Sequence, residues 1–156
     1  MKGRQITVII LMAEDDEDDC MLAREALVES QLTSELRIVR DGEELMDYLY
    51  HRGQYAQKHT APRPGLILLD LNMPKKDGRE ALKEIKADPD LRQIPVVVLT
   101  TSKAEEDIFH TYDLGANSFI IKPPSFGALV EMMKTIGEYW FEIAELPPEA
   151  VRDDNE

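Results

Sequence analysis

Apolar residues gather along this chain in five short runs, at residues 6–12, 35–39, 66–69, 94–99 and 118–121. The central one, Leu-Ile-Leu-Leu at 66–69, shows no alternation and lies between Pro64-Gly65 and Met73-Pro74. That pattern reads as a strand buried on both faces. Between the runs the apolar spacing changes to that of a helix. Leu22, Ala23, Ala26 and Leu27 give one such face, Leu45, Tyr48 and Leu49 a second, and Ala81, Leu82 and Ile85 a third. Asp41-Gly42 reads as a turn and Asp88-Pro89 as a helix stop. Ser102, with Glu105 three residues on, predicts a capping box for a fourth helix that closes at Leu114-Gly115. Ser125 caps a fifth helix reaching about Leu146. Residues 51–64 exceed the usual connection length and read as a polar surface insertion.

Strand and helix thus alternate five times. The expected fold is α/β, a five-stranded parallel sheet, doubly wound and flavodoxin-like, (βα)5, with strand order 2-1-3-4-5. Its crevice opens between strands 1 and 3 at their carboxyl ends. Residues 1–146 are expected to form this domain, and residues 147–156 a flexible acidic tail.

Charge narrows the range of partners. Among 156 residues the formal net charge is −13. This disfavours nucleic acid and anionic membrane surfaces as partners. Cys20 is the single cysteine, so no internal disulfide framework exists. With no signal peptide or spanning segment in the pattern, a cytoplasmic protein is expected.

The ends of the strands carry the candidate chemistry. Glu14 and Asp15 follow the first run, Asp70 and Asn72 the third, Thr100 the fourth and Lys122 the fifth. The predicted strand order brings Glu14, Asp15 and Asp70 together. Carboxylates crowded in one crevice repel unless a cation or proton intervenes. Mg²⁺ suits this set, with Asp15 and Asp70 as direct ligands, the Asn72 carbonyl as a third and Glu14 acting through water. A cation, a lysine, a hydroxyl and a central carboxylate are the parts that phosphoryl transfer to Asp70 requires. Glu17, Asp18 and Asp19 are explained by the positive end of the helix they open.

These positions carry a family resemblance. Glu14-Asp15, Asp70 within Leu-Leu-Asp-Leu-Asn-Met-Pro, Asp77-Gly78, Thr100 and Lys122-Pro123 resemble the receiver domain of two-component response regulators, of the chemotaxis-regulator superfamily. The resemblance implies that a histidine kinase phosphorylates Asp70 with Mg²⁺, and that Lys122-Pro123 is a cis peptide. It implies a phosphoacceptor that catalyses its own phosphorylation and slow dephosphorylation, not an enzyme acting on other substrates. Leu99-Thr-Thr-Ser102, Lys122-Pro-Pro124, the insertion before Gly65 and Tyr139-Trp140 make it most similar to the single-domain regulators of bacterial and cyanobacterial phytochrome kinases. Thr100 and Phe119 would form the switch, with Phe119 where the family often has Tyr. No DNA-binding effector is expected beyond Leu146.

Three rival readings fit the residues less well. A haloacid dehalogenase-type phosphatase needs Asp-x-Asp-x-Thr, and Asp70 is followed instead by Leu-Asn-Met-Pro. A flavin-binding domain needs a phosphate loop where acids stand. A degenerate receiver acting only as an adaptor would have lost Asp70, Thr100 or Lys122.

The last helix has a broad apolar surface. Phe126, Leu129, Val130, Met133, Gly137, Trp140 and Ala144 form a stripe assigned to the core. Met132, Ile136, Tyr139, Ile143 and Leu146 form a second one beside it. The second stripe predicts a homodimer through helix 4, strand 5 and helix 5.

Overall fold

The computed structural model describes residues 8–30, 34–101 and 104–143. Five parallel strands form one sheet in the order β2-β1-β3-β4-β5: β1 Val8–Ala13, β2 Ser34–Val39, β3 Leu66–Leu69, β4 Val96–Thr100 and β5 Ser118–Ile121. The helices are α1 Glu17–Ser30, α2 Gly42–Tyr50, α3 Gly78–Ala87, α4 Glu105–Asp113 and α5 Phe126–Gly137, the last continuing as a π-helical stretch, Glu138–Ile143. The expected order is the observed one.

The two-residue period of the strands divides the core. Leu11, Ala13, Ile67, Leu69, Val96 and Val98 point to the face covered by α2 and α3. Ile10, Met12, Leu66, Leu68, Val97 and Leu99 point to the face covered by α1 and α5. All four residues of β3 are at most 1% exposed. Each such side chain contributes roughly 1.5–3 kcal/mol of burial free energy.

Register then places the ends of the strands. Ala13 pairs with Leu69, Leu69 with Val98 and Thr100 with Ile121. Hydrogen bonds extend each ladder by one step, from Asp70 N to Ala13 O at 3.1 Å and from Lys122 N to Thr100 O at 2.8 Å. Glu14, Asp70, Thr100 and Lys122 therefore stand at one edge of the sheet.

Local chemistry departs from the sequence reading at several points. Asp41-Gly42 is not a free turn: Asp41 caps α2, accepting from Glu44 N at 2.7 Å. Leu22 faces outward at 37% exposure, while Cys20 fills the inner row of α1 with Ala23, Ala26 and Leu27. The first turn of α1 is set by Asp16, whose Oδ1 accepts from Asp19 N. Helix α4 begins after Ala104, so Glu105 occupies its first position rather than the third. The proposed cap Ser102 lies outside the described residues, as does the acidic tail. The Lys122–Pro123 bond is trans. The preference between isomers at X–Pro is under about 1 kcal/mol, so surroundings decide it, and here Lys122 meets its partners with the trans bond.

The insertion is stapled to α2 and β2 rather than loose. Tyr48 Oη donates to Pro62 O at 2.7 Å, Tyr55 Oη to Glu44 Oε2 at 2.6 Å, and Arg37 Nη1 to Thr60 O at 3.0 Å. Ala61, within the insertion, is buried in the core.

The assignment of α5 needs the largest correction. Ile136, expected at a dimer surface, is 7% exposed and belongs to the core with Met133. Met132 is partly buried against the same core. Helix α5 packs against both the sheet and α1, so its buried face is wider than one stripe. Conversely Phe126, assigned to the core, is 38% exposed. Tyr139 is exposed as expected, and the Ile143 side chain lies outside the described set.

Two glycines permit close backbone approach. A Cβ on Gly78 would collide with the Asp70 carbonyl, and one on Gly42 with the Lys76 carbonyl. Gly127 has open space around it. Gly78→Ala should therefore cost more than about 2 kcal/mol and Ile136→Ala about 2–4 kcal/mol. Gly127→Ala should be neutral or stabilising by up to about 1 kcal/mol, and Tyr139→Ala should stay within about 0.5 kcal/mol. Urea denaturation of the four variants checks the series; equal loss at Ile136 and Tyr139 would restore the surface assignment.

Candidate functional site

Asp70 is the last residue of a ladder whose neighbours are all apolar, so its side chain is the first polar group the central strand offers. It is 6% exposed. Its Oδ1 accepts from Asn72 N at 3.3 Å, which turns the chain away from the sheet. Beyond the turn, Asp77 caps α3 in a reciprocal capping box with Glu80. Gly78 lets α3 start directly against the acceptor loop, donating its N–H to Leu71 O at 2.9 Å.

Glu14 and Asp15 reach the same edge from β1. Oxygen atoms of Glu14, Asp15 and Asp70 lie within 4.8 Å of one another. Their environments differ: Glu14 is fully buried and Asp15 exposed. Glu14 Oε2 accepts from Asp16 N at 3.1 Å. Burial pushes the Glu14 carboxyl up to about 7; Lys122 opposes that rise and the Asp70 charge adds to it.

Lys122 enters from β5. Its ammonium lies 2.6 Å from Glu14 Oε1, 2.8 Å from Asp19 Oδ2 and 3.7 Å from Asp70 Oδ2. Burial alone would lower its pKa, but hydrogen bonds to Asp19 and Glu14 and the charge of Asp70 outweigh that and hold it above its ordinary range. Thr100 is fully buried at the end of β4, its hydroxyl 3.5 Å from Asn72 Nδ2. Phe119 is partly buried against the core, and its N–H donates to Tyr112 Oη at 3.1 Å.

The structure therefore brings together Glu14, Asp15, Asp70, Asn72, Thr100 and Lys122. Sequence reasoning missed two participants. Helix polarity accounts for Asp19 in the sequence, yet its side chain grips Lys122; its place in the first turn of α1, four residues after Asp15, was the available signal. Arg79 was not singled out. It pairs with Asp107 through two bonds of 3.0 and 2.8 Å, tying the start of α3 to the first turn of α4.

The donor set fits a hard divalent cation. Its side-chain donors are all carboxylate oxygens, two of them buried and one exposed for access. Among the described residues four carboxyl groups, those of Glu14, Asp15, Asp19 and Asp70, stand against one ammonium. A cation relieves the surplus. No helix among the described residues is long and apolar enough to cross a membrane.

Comparison with known proteins agrees with this geometry. Residues 10–134 match the family model described as "Response regulator receiver domain". The response regulator Rcp1 of Synechocystis sp. is 47% identical over 139 residues, spanning 89% of this chain and 92% of its own. The phosphorylated cyanobacterial phytochrome response regulator RcpA superposes with a TM-score of 0.84 at 51% identity, covering 91% of this chain and 99% of its own. The Mn²⁺-bound form of Rcp1 superposes with a TM-score of 0.81 at 46% identity, over 90% and 99% of the two chains. With most of its length matching that family model and a relative 47% identical over nearly the whole of both chains, the chain belongs to the response regulator receiver domain family of two-component signalling.

Proposed function

We propose that this protein receives a phosphoryl group on Asp70 from a histidine kinase and changes its partner contacts in response. One observation carries the reading: a nearly buried carboxylate at the end of β3 shares its crevice with two further carboxylates and a lysine. Asp70 Oδ attacks phosphorus in line with the bond to the donor. The new P–O bond forms as the donor's P–N bond breaks, and the histidine leaves as neutral imidazole after taking up a proton. Lys122 and the Thr100 hydroxyl each meet an oxygen of the transferred group. Asp15, Asp70 and the Asn72 carbonyl would hold Mg²⁺, with Glu14 acting through water, and the cation would supply further charge neutralisation at those oxygens.

The kinase approaches from the side where the site opens. Exposed Leu22 and Phe126 line, together with Lys122, a cavity of about 100 Å³ between α1 and the start of α5. An apolar rim around a charged centre suits a helical phosphohistidine carrier. Similarity to Rcp1 and RcpA favours a phytochrome-type kinase and a cytoplasmic setting. Retention of Asp70, Thr100 and Lys122 disfavours the adaptor alternative. Thr100 and Phe119 serve as the switch, with the first turn of α4 as the part that moves. The same face, with exposed Phe109 and Tyr112 on α4 and Tyr139 after α5, supports a homodimer without Ile136.

Acetyl phosphate with Mg²⁺ should add the mass of one phosphoryl group, and Asp70→Asn should abolish it. Asp15→Asn should weaken Mg²⁺ binding more than Glu14→Gln. Labelling that persists in Asp70→Asn, read by intact mass, would falsify the assignment.

Because Glu14 holds its proton up to about 7, cation binding should release a proton near neutrality. Raising pH removes the competitor, so Mg²⁺ affinity should climb from about pH 6 to about pH 8. Titration calorimetry in buffers of different ionisation enthalpy checks this, and a flat profile counts against it.

Light scattering over a concentration series should show a dimer that Phe109→Glu or Tyr112→Glu weakens. A monomer at high micromolar concentration, with and without beryllofluoride, would assign that face to another partner.

A further inference from the structure

The Lys122 ammonium is engaged before any phosphoryl group arrives. It sits 2.6 Å from Glu14 and 2.8 Å from Asp19 but 3.7 Å from Asp70. Phosphoryl transfer to Asp70 demands that same ammonium at a new oxygen, so an existing contact has to lengthen.

The two contacts are unequal. Glu14 is fully buried, where solvent cannot replace the lysine, so losing the ammonium would leave a buried carboxyl oxygen without its donor. Asp19 has a side chain 37% exposed, and solvent can take over its oxygen. Its backbone is held at the start of α1 by the bond from Asp19 N to Asp16 Oδ1 at 3.0 Å, so the helix end does not travel inward with the lysine. The Asp19 contact is the one that yields.

We propose that Asp19 is a positioning residue that parks the Lys122 ammonium on the first turn of α1 and releases it when Asp70 is phosphorylated. It therefore acts against the phosphorylated state and sets how readily the site accepts a phosphoryl group. The inference rests on the phosphoacceptor reading above and deepens it. A purely structural tie between α1 and β5 would instead affect stability alone.

Asp18 provides the control. It lies exposed on the same turn and makes no contact with Lys122. Asp18→Asn and Asp19→Asn remove the same charge, so their difference isolates the contact. Beryllofluoride affinity, measured by fluorine NMR in saturating Mg²⁺, should rise roughly five- to tenfold in Asp19→Asn over Asp18→Asn, the scale of a part-exposed charge-assisted hydrogen bond. Asp19→Glu, which keeps the charge, should stay near wild type. Before beryllofluoride is added, the Lys122 Cε and Nζ resonances should move in Asp19→Asn and not in Asp18→Asn. Equal affinities in the two Asn variants, or unmoved lysine resonances, overturn the proposal even if Asp19→Asn melts lower. A wild type that takes up no beryllofluoride removes the phosphoacceptor reading and this inference together.

Discussion

Four carboxyl groups, from buried Glu14 to exposed Asp15, crowd around one ammonium among the described residues, and the remainder of the structure accommodates that crowding. Parallel register holds Glu14 and Asp70 at one edge. The low polarity around Glu14 makes each uncompensated charge more costly than in water. Lys122 is drawn in so strongly that its own burial is outweighed. What results is a site with an appetite for positive charge and for anything that redistributes its one lysine. Cation binding and phosphorylation both act on this imbalance, which explains how a small chemical event gains leverage over a packed domain.

Most of the architecture was legible because the sheet is buried on both faces. Continuous apolar runs, broken abruptly by Asp70 or Thr100, mark strand and strand end in the same stroke. The five-fold alternation then restricts topology to few solutions. Site residues were legible for a related reason: the strand order converts distant positions into neighbours. Asp19 was harder to see. Its helix-terminal position offers an adequate local explanation, and only three-dimensional proximity reveals that an oxygen on α1 meets a lysine 103 residues later.

The errors on α5 share one cause. Periodicity at 100° per residue describes a helix docked on one surface. Helix α5 touches two, the sheet and α1, so a residue one stripe over, Ile136, is still inside. Beyond Gly137 the ladder widens into π geometry. There an α-helical wheel no longer assigns faces, since each turn holds more residues. The Ser102 cap failed differently: it matched a motif in sequence, as Ser125 did, but α4 starts after Ala104, whereas Ser125 does cap α5.

The acceptor loop is wedged at both ends. At one end the Lys76 carbonyl rests on Gly42, and at the other the Asp70 carbonyl rests on Gly78. Neither glycine leaves room to give. Under the proposed phosphoacceptor role, a group added at Asp70 has no backbone slack behind it on the α3 side. Packed interiors shift as discrete pieces rather than stretching evenly. Any displacement would then be taken up across the sheet edge, where Thr100, Lys122 and α4 lie, which would give the signal a direction as well as a magnitude.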